Sequence, residues 1–279
     1  MIEVSALRKR YGDGTIALNG VSFKLDKKIT SIIGRNGAGK TTLLRILSTQ
    51  MLPTSGKASI NGLDIVKDAQ SIRKIAVSIP QESKPIDYLT AMDDVRLYLS
   101  ARGVGLREAR AAAEKALKKV GLWEARDKLS YELSGGMKRK IFVAMAIAAD
   151  AEIVFLDEPT TGLDPFSRVE VWSAIRAIKG QVILTTHYME EAQALSEDVL
   201  MIDSGKIFAH STVEQLLKPF NGLVRIESQR KRKSSYKVGT TWISYVKKGE
   251  AKGFVGKDDI IKPVTLDDLF IKRGVNLES

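Results

Sequence analysis

The stretch Gly34-Arg35-Asn36-Gly37-Ala38-Gly39-Lys40-Thr41 decides the fold. It matches the pattern G-x-x-x-x-G-K-[S/T], in which glycines let successive backbone N–H groups curl around phosphate oxygens. A short β-branched run, Ile29-Thr30-Ser31-Ile32-Ile33, precedes the loop, and leucines and isoleucines at helical spacing follow it over 41–51. The loop is therefore predicted to lie between a strand and a helix, whose N-terminus adds a favourable dipole for an anion.

The residues of this loop have separate roles in phosphate binding. Lys40 is predicted to place its charge on the β- and γ-phosphates of a nucleotide, and the Thr41 hydroxyl is a predicted Mg²⁺ ligand. The predicted ATP contacts of this segment are Gly34, Arg35, Asn36, Gly37, Ala38, Gly39, Lys40, Thr41 and the adjoining Thr42.

A second apolar run, Ile153-Val154-Phe155-Leu156, ends in the carboxylates Asp157 and Glu158. Acidic residues often follow strands, but here a phosphate-binding loop occurs in the same chain. Asp157 is then the predicted second partner of Mg²⁺. Glu158 is predicted to be the general base that polarises the attacking water.

The continuous apolar runs at 153–156 and 182–186 are typical of buried central strands in a parallel sheet. The first 30 residues instead alternate with period two around Gly and Asn turns. We therefore predict an α/β fold of the P-loop NTPase (RecA-like) type with a mostly parallel sheet, an N-terminal antiparallel β subdomain and an inserted helical subdomain at about 85–148. The predicted domains are an ATPase domain, 1–220, and a small α+β C-terminal extension, 221–279.

Composition limits the remaining possibilities. The chain has no cysteine, which removes disulfides and thiolate sites, and 44% apolar residues, enough for a packed core. No signal peptide is predicted at the N-terminus, and the longest apolar run, 141–149, is far shorter than the roughly 20 residues that cross a bilayer. A soluble protein is expected, and any membrane role must come through a partner.

The formal net charge is +11, and residues 221–279 hold 13 Lys and Arg against 7 Asp and Glu. The run Arg230-Lys231-Arg232-Lys233 is either a patch for an anionic partner or an ordinary solvated turn. We favour the turn, and no nucleic-acid partner is expected.

Leu133-Ser134-Gly135-Gly136-Met137 closely resembles the signature sequence of ATP-binding cassette (ABC) ATPases, usually Leu-Ser-Gly-Gly-Gln. Other elements occur in the order found in that family. Tyr11 resembles its adenine-stacking aromatic residue, and Gln81 its Q-loop glutamine. Gly162-Leu163-Asp164-Pro165 resembles the D-loop, and His187 the switch histidine. The resemblance covers about residues 1–215.

The resemblance implies an ATPase with ATP and Mg²⁺ as cofactors. It implies that Gln81 is catalytic and a Mg²⁺ ligand, and that His187 contacts the γ-phosphate. Two copies would face head to tail, so that Ser134, Gly135 and Gly136, with Asp164, complete the ATP site of a partner subunit. A homodimer is expected. Met137 replaces the usual glutamine and lacks its amide hydrogen bonds, while His210 has no such context and is interpreted as a surface residue.

Within this resemblance two classes stay open. One is the ATPase subunit of a transporter with a separate transmembrane permease, and the other is a soluble ABC ATPase, for example one for iron–sulfur assembly. The segment after Leu89-Thr90 resembles the subdomain that docks a permease, and 265–272 resembles the closing helix of the drug- and polysaccharide-export (ABC-2 type) group. An exporter subunit at the inner face of the cell membrane is therefore favoured. A P-loop kinase is disfavoured by the signature-like segment.

Overall fold

A computed structural model describes residues 1–232, 234–256 and 259–278. Lys233, the last residue of the basic run, lies outside the described residues. The chain divides into two compact units, Met1–His210 and Ser211–Ser279. None of the described helices is long and apolar enough to cross a membrane.

The first unit alternates strands and helices along the chain. Its strands are β1 (Ile2–Arg10), β2 (Ile16–Leu25), β3 (Ile29–Ile33), β4 (Ser55–Ile60), β5 (Leu63–Asp64), β6 (Ala76–Ile79), β7 (Ile153–Asp157), β8 (Gln181–Thr186), β9 (Asp198–Asp203) and β10 (Lys206–Ser211). Its helices are α1 (Lys40–Leu47), α2 (Ala69–Ile75), α3 (Ala91–Ala101), α4 (Leu106–Lys119), α5 (Gly135–Ala148), α6 (Pro165–Arg176) and α7 (Met189–Leu195).

The N-terminal strands form an antiparallel sheet in the order β2-β1-β4-β5, as the period-two alternation predicts. Ile2 pairs with Leu25 on one side and with Ile60 on the other, and all three side chains are fully buried. Asn61 and Gly62 both have positive φ, so a tight turn there separates β4 from β5.

The second sheet has the order β10-β9-β3-β8-β7-β6 and contains the predicted parallel core. Every residue of β3 and β7 is buried, which explains why both strands read as continuous apolar runs. In a parallel sheet all strands end at the same edge, where such folds bind ligands. Here that edge gathers the segments that follow β3, β6, β7 and β8.

Three helices, α3, α4 and α5, pack together as the inserted helical subdomain. The helical pattern between about 88 and 120 corresponds to two helices, α3 and α4, because the chain turns at Gly103 with a φ of 86°. Arg102 ends α3 and donates to the carbonyl oxygens of Lys74 at 2.8 Å and Ala76 at 3.1 Å. The side chain that ends one helix thereby satisfies carbonyls at the end of α2.

The second unit is an α+β fold with α8 (Val213–Leu217), β11 (Leu223–Ser228), β12 (Tyr236–Val238), β13 (Thr241–Lys247), α9 (Ala251–Phe254), β14 (Ile260–Lys262) and α10 (Asp267–Glu278). Its strands form an antiparallel sheet, β12-β13-β11-β14. The fully buried Asp268 accepts from the Tyr245 hydroxyl at 2.7 Å and the Thr265 amide at 2.8 Å, and pairs with Arg225 at 3.2 Å. All these partners of the buried carboxylate lie within the second unit, so the cluster stabilises that unit internally.

Candidate functional site

The loop between β3 and α1 needs glycine at its two ends. At Gly39, which caps α1, φ is 105° and an added Cβ would lie 2.4 Å from the carbonyl oxygen of Ala17. At Gly34 an added Cβ would lie 2.4 Å from the carbonyl oxygen of Ile202. Both approaches are to backbone, so the motif glycines reflect packing of this loop as well as access to phosphate.

Replacing Gly39 by Ala is expected to lower the free energy of unfolding by about 3 kcal/mol, since it adds a backbone clash to the strain of a positive φ. Gly37 is a matched control, because its φ is 79° but an added Cβ meets nothing within 4 Å. Gly37→Ala should therefore cost only the strain, about 1 kcal/mol. Urea unfolding of both variants measures the difference, and equal losses would contradict this account of the loop.

Lys40, the first residue of α1, is buried, and its ammonium points back into the loop. Its Nζ donates to the carbonyl oxygen of Gly34 at 2.9 Å and to that of Arg35 at 3.3 Å. It also forms an ion pair with Glu158 Oε1 at 3.3 Å. Its charge is therefore held at the floor of the loop, facing the end of β7.

Asp157 ends β7 and connects two hydroxyl groups. Its Oδ1 accepts from the Thr41 hydroxyl at 3.1 Å and from the Thr185 hydroxyl of β8 at 2.5 Å. Asp157 is almost fully buried. Thr41 and Asp157, which were predicted to share a metal ion, thus lie within hydrogen-bonding distance of one another.

Glu158 directly follows β7 with a φ of 46°, a left-handed conformation that non-glycine residues rarely adopt. Its amide bonds to the Thr185 hydroxyl at 3.0 Å, which holds the turn. Such backbone strain persists only where the surroundings over-determine it, and it is often found at functional sites.

Four donors surround the carboxylate of Glu158. Besides Lys40 on Oε1, its Oε2 lies 3.0 Å from His187 Nδ1, accepts from the Thr161 hydroxyl at 3.0 Å and accepts from the Gln81 amide at 3.4 Å. The structure therefore brings Gln81, Glu158 and His187 together, from the ends of β6, β7 and β8. A carboxylate at the centre of such a cluster can accept a proton once a donor leaves.

A cavity of about 420 Å³ opens beside these side chains. Its walls come from the N-terminal sheet, the glycine loop, the first turn of α1 and the ends of β6 and β7. The lining residues are Tyr11, Thr15, Ile16, Ala17, Asn36, Gly37, Gly39, Lys40, Thr41, Thr42, Gln81 and Glu158.

Tyr11 lines this cavity. Its hydroxyl is 3.0 Å from the Thr42 hydroxyl, and Lys9 Nζ is 5.6 Å from the centre of its ring. The ring is only partly covered, with 37% of the residue exposed. An exposed aromatic ring in this position offers a flat surface to a base.

Ser134 and Asp164 both cap helices. The Ser134 hydroxyl accepts from the Met137 amide at 3.3 Å at the start of α5, and Asp164 Oδ1 accepts from the Ser167 amide at 3.0 Å at the start of α6. Hydrogen bonds from Ser167 lower the pKa of Asp164. Within the described part of the chain, Ser134, Gly135, Gly136 and Asp164 are not among the residues that line the cavity.

Two residues that support the site were not predicted. Thr185 holds both Asp157 and the Glu158 amide, and Arg139 of α5 donates to the carbonyl oxygen of Gln81 at 2.7 Å. A threonine inside the apolar run of β8 was a usable signal, since a buried hydroxyl needs a partner. Arg139 had no such signal, because it stands among other basic residues on α5.

Glu191 of α7 is fully buried beside this cluster. Its Oε1 accepts from the Thr160 hydroxyl at 2.7 Å and from the Trp172 indole N–H at 3.0 Å. Burial raises the pKa of Glu191. The side chain joins α7 to α6 and to the turn after Glu158.

His210, interpreted from the sequence as a surface residue, is exposed, and its Nε2 lies 2.6 Å from Asp198 Oδ2. The pair connects β10 to β9, so His210 has a structural partner that its sequence context did not indicate.

The sequence family described as ABC transporter matches residues 18–161. The chain is 36% identical over 219 residues to the daunorubicin resistance ATP-binding protein DrrA3 of Streptomyces coeruleorubidus, with 77% of this chain and 69% of that one covered. It is 38% identical over 220 residues to the doxorubicin resistance ATP-binding protein DrrA of Mycobacterium tuberculosis strain H37Rv, with 77% and 66% covered.

Solved structures share the fold. CbiO1 of Clostridium perfringens, part of the ABC transporter complex CbiONQ, superposes with a TM-score of 0.70 at 25% identity, covering 78% of this chain and 90% of that one. A dimeric post-hydrolysis state of the ATP-binding cassette MJ0796, bound to ADP and Pi, gives 0.67 at 25% identity, covering 76% and 98%. The predicted parallel core with an antiparallel N-terminal sheet is thus confirmed.

Proposed function

The chain belongs to the ABC transporter family, and we propose that it is the ATP-hydrolysing subunit of an exporter whose permease is a separate chain. The observation that carries the proposal is the convergence of Lys40, Thr41, Gln81 and Glu158 on one cavity, with Asp157 bonded to Thr41 and His187 bonded to Glu158. Both DrrA relatives are drug-resistance ATP-binding proteins, which favours export over iron–sulfur assembly.

The cavity suits a nucleoside triphosphate. Its lining offers the buried Lys40 ammonium and the N-terminus of α1 to phosphate oxygens. The part-exposed Tyr11 ring in its lining offers a stacking surface to adenine. We propose that residues 34–42 bind the phosphates in this orientation.

The donor set also fits Mg²⁺. The Thr41 hydroxyl and the Asp157 carboxylate are oxygen ligands 3.1 Å apart, and Mg²⁺ usually takes one or two protein carboxylates together with substrate phosphates. We propose that Thr41 and Asp157, with Gln81, hold the ion, which would neutralise charge developing on the phosphates. This predicts that EDTA abolishes hydrolysis and that excess Mg²⁺ restores it.

Hydrolysis requires Glu158 to exchange its donors. The same Lys40 charge that pairs with Glu158 would be drawn to an entering phosphate, which frees Oε1 to accept a proton from water. His187, bonded to Oε2 through Nδ1, would contact the γ-phosphate with the other side of its ring. Glu158 is therefore proposed as the base, and His187 as its partner.

We propose that the site is completed by a second copy of the chain. Ser134, Gly135 and Gly136 form the start of α5, whose N–H groups suit an anion that this chain's own cavity does not bring to them. The dimeric cassette with ADP and Pi supports a two-subunit arrangement. ATP-dependent dimerisation, measured by light scattering, is the expected result.

A second cavity, about 290 Å³, suits a permease. It lies between the segment after Gln81 and the helices of the inserted subdomain, and Ile86 and Leu97 stand about half exposed at its rim. Exposed apolar side chains around a concavity mark interaction sites. We propose that a permease segment docks here at the cytoplasmic face of the membrane.

Replacing Leu97 by Asp is expected to abolish co-purification with the permease while leaving the ATPase rate of the isolated chain within about twofold, since a charge placed in a desolvated apolar contact costs several kcal/mol. The permease to test is the product of a neighbouring gene with about six apolar spans. Leu106→Asp is the control, because Leu106 is exposed but lies outside the cavity. Retained binding by Leu97→Asp would rule out this docking site.

A further inference from the structure

Outside the proposed catalytic group, the Tyr188 ring stacks on His187, and the Arg168 guanidinium in turn stacks on Tyr188. The Tyr188 ring lies 4.1 Å from the His187 ring, centre to centre, at an interplanar angle of 39°. The Arg168 guanidinium lies 4.2 Å from the centre of the Tyr188 ring. Arg168, Tyr188 and His187 thus form one continuous stack that ends on the residue bonded to Glu158.

The far end of this stack belongs to a different segment. Arg168 is in the first turns of α6, and its Nη2 donates to the carbonyl oxygen of Leu163 at 3.4 Å. Leu163 adjoins Asp164, which begins the helix and was predicted to face a partner subunit. The stack therefore runs from residues 163–164 to His187.

Burial makes this arrangement stiff. The Nε of Arg168 is buried and has no hydrogen-bond partner among residues 1–232, 234–256 and 259–278, so the cation is partly desolvated. A cation over an aromatic face is attracted more strongly when water is excluded. Glu191 fixes the distance between α6 and α7. It lies on α7, three residues after Tyr188, and accepts a hydrogen bond from Trp172 of α6.

We propose that Arg168 and Tyr188 are positioning residues that set the orientation of the His187 ring and couple it to the segment 163–164. The proposal rests on the proposed function of His187. A shift of that segment moves the guanidinium, the guanidinium carries the Tyr188 ring, and the ring reorients His187 relative to Glu158. The rate of ATP hydrolysis at this site would thereby depend on the contacts that the segment 163–164 makes with a partner subunit.

The test is a double-mutant cycle on kcat and KM for ATP, with the full chain. Tyr188→Leu is expected to lower kcat about tenfold with KM within about twofold, since the aromatic stack and the cation contact are both lost. Tyr188→Phe keeps the ring and should retain kcat within about twofold. In a His187→Ala background, adding Tyr188→Leu should produce no further loss.

Arg168→Met should lower kcat as Tyr188→Leu does, and the two losses should not add. Arg126→Met is the matched control, because Arg126 makes the same 4.2 Å contact with Trp123, away from the cavity. It should leave kcat within about twofold. Melting temperatures of the variants and the wild type identify any loss of kcat that comes from a folding defect. If Arg168→Met is unstable, Arg168→Lys replaces it in the test; because lysine keeps the cation, this variant should recover part of the lost kcat.

The inference is overturned if Tyr188→Leu lowers kcat equally with and without His187, or if Tyr188→Phe is as slow as Tyr188→Leu. Failure of the proposed function is a separate outcome: there the wild-type chain itself would not hydrolyse ATP, or His187→Ala would leave kcat unchanged.

Discussion

Glu158→Gln is expected to lower kcat for ATP hydrolysis by at least about a hundredfold, which is the typical contribution of a general base. Glutamine keeps the size and the acceptor oxygen that Thr161 and His187 contact, but it cannot take a proton. ATP should still bind, because Lys40 is intact and has lost its competing anion. The variant should therefore accumulate as an ATP-bound dimer, visible by size-exclusion chromatography with ATP.

Glu152→Gln is the control for that experiment. Glu152 immediately precedes β7, at the opposite end of the strand from Glu158. It is exposed, and its carboxylate accepts from the Asn61 side-chain amide at 3.1 Å. Its replacement should leave hydrolysis within about twofold. If Glu158→Gln hydrolyses ATP at the wild-type rate, Glu158 is not the base.

Lys40→Ala should weaken ATP binding by at least about a hundredfold, about 2.7 kcal/mol, because charge-assisted bonds to phosphate are lost. The substitution also leaves Glu158 buried without its cation, which destabilises the fold by about 3 kcal/mol. Calorimetric titration with ATP and Mg²⁺ measures the first effect, and urea unfolding measures the second.

Lys140→Ala separates these two effects. Lys140 of α5 is another buried lysine, 3.0 Å from Glu170, and it does not line the nucleotide cavity. The Lys140→Ala variant should lose about as much free energy of unfolding as Lys40→Ala does, but it should keep the wild-type affinity for ATP. Tight ATP binding by a folded Lys40→Ala variant would contradict the assignment of Lys40 to the phosphates.

Much of this architecture could be predicted because local patterns and the global fold agree. β3 and β7 are buried on both faces, so their apolar runs identify them directly, and the residues after them carry the motif. The element ends were harder to predict. Gly103 interrupts a stretch whose composition is helical throughout, and α2 was missed because Ile72 is its only buried residue.

The supporting contacts of the site were beyond sequence reasoning for a different reason. Thr185 and Asp157 are 28 residues apart in the chain, and their bond exists only because β7 and β8 pair in parallel with these two residues in register. Arg168 and Tyr188 are likewise distant in the chain, and the packing of α6 against α7 brings them together. Such pairs follow from strand register and helix packing, which the periodicity of a single element does not contain.

The four donors on Glu158 also bear on the behaviour of a subunit that has not yet met a partner. With Lys40, Gln81, Thr161 and His187 all directed at one carboxylate, water must compete for it in the resting conformation. If the released carboxylate were populated about one part in a hundred, turnover would fall by about the same factor. We therefore expect a subunit without a partner to hydrolyse ATP very slowly. The cellular rate of ATP hydrolysis would then depend on how many subunits have assembled, and not on how much of the chain is made.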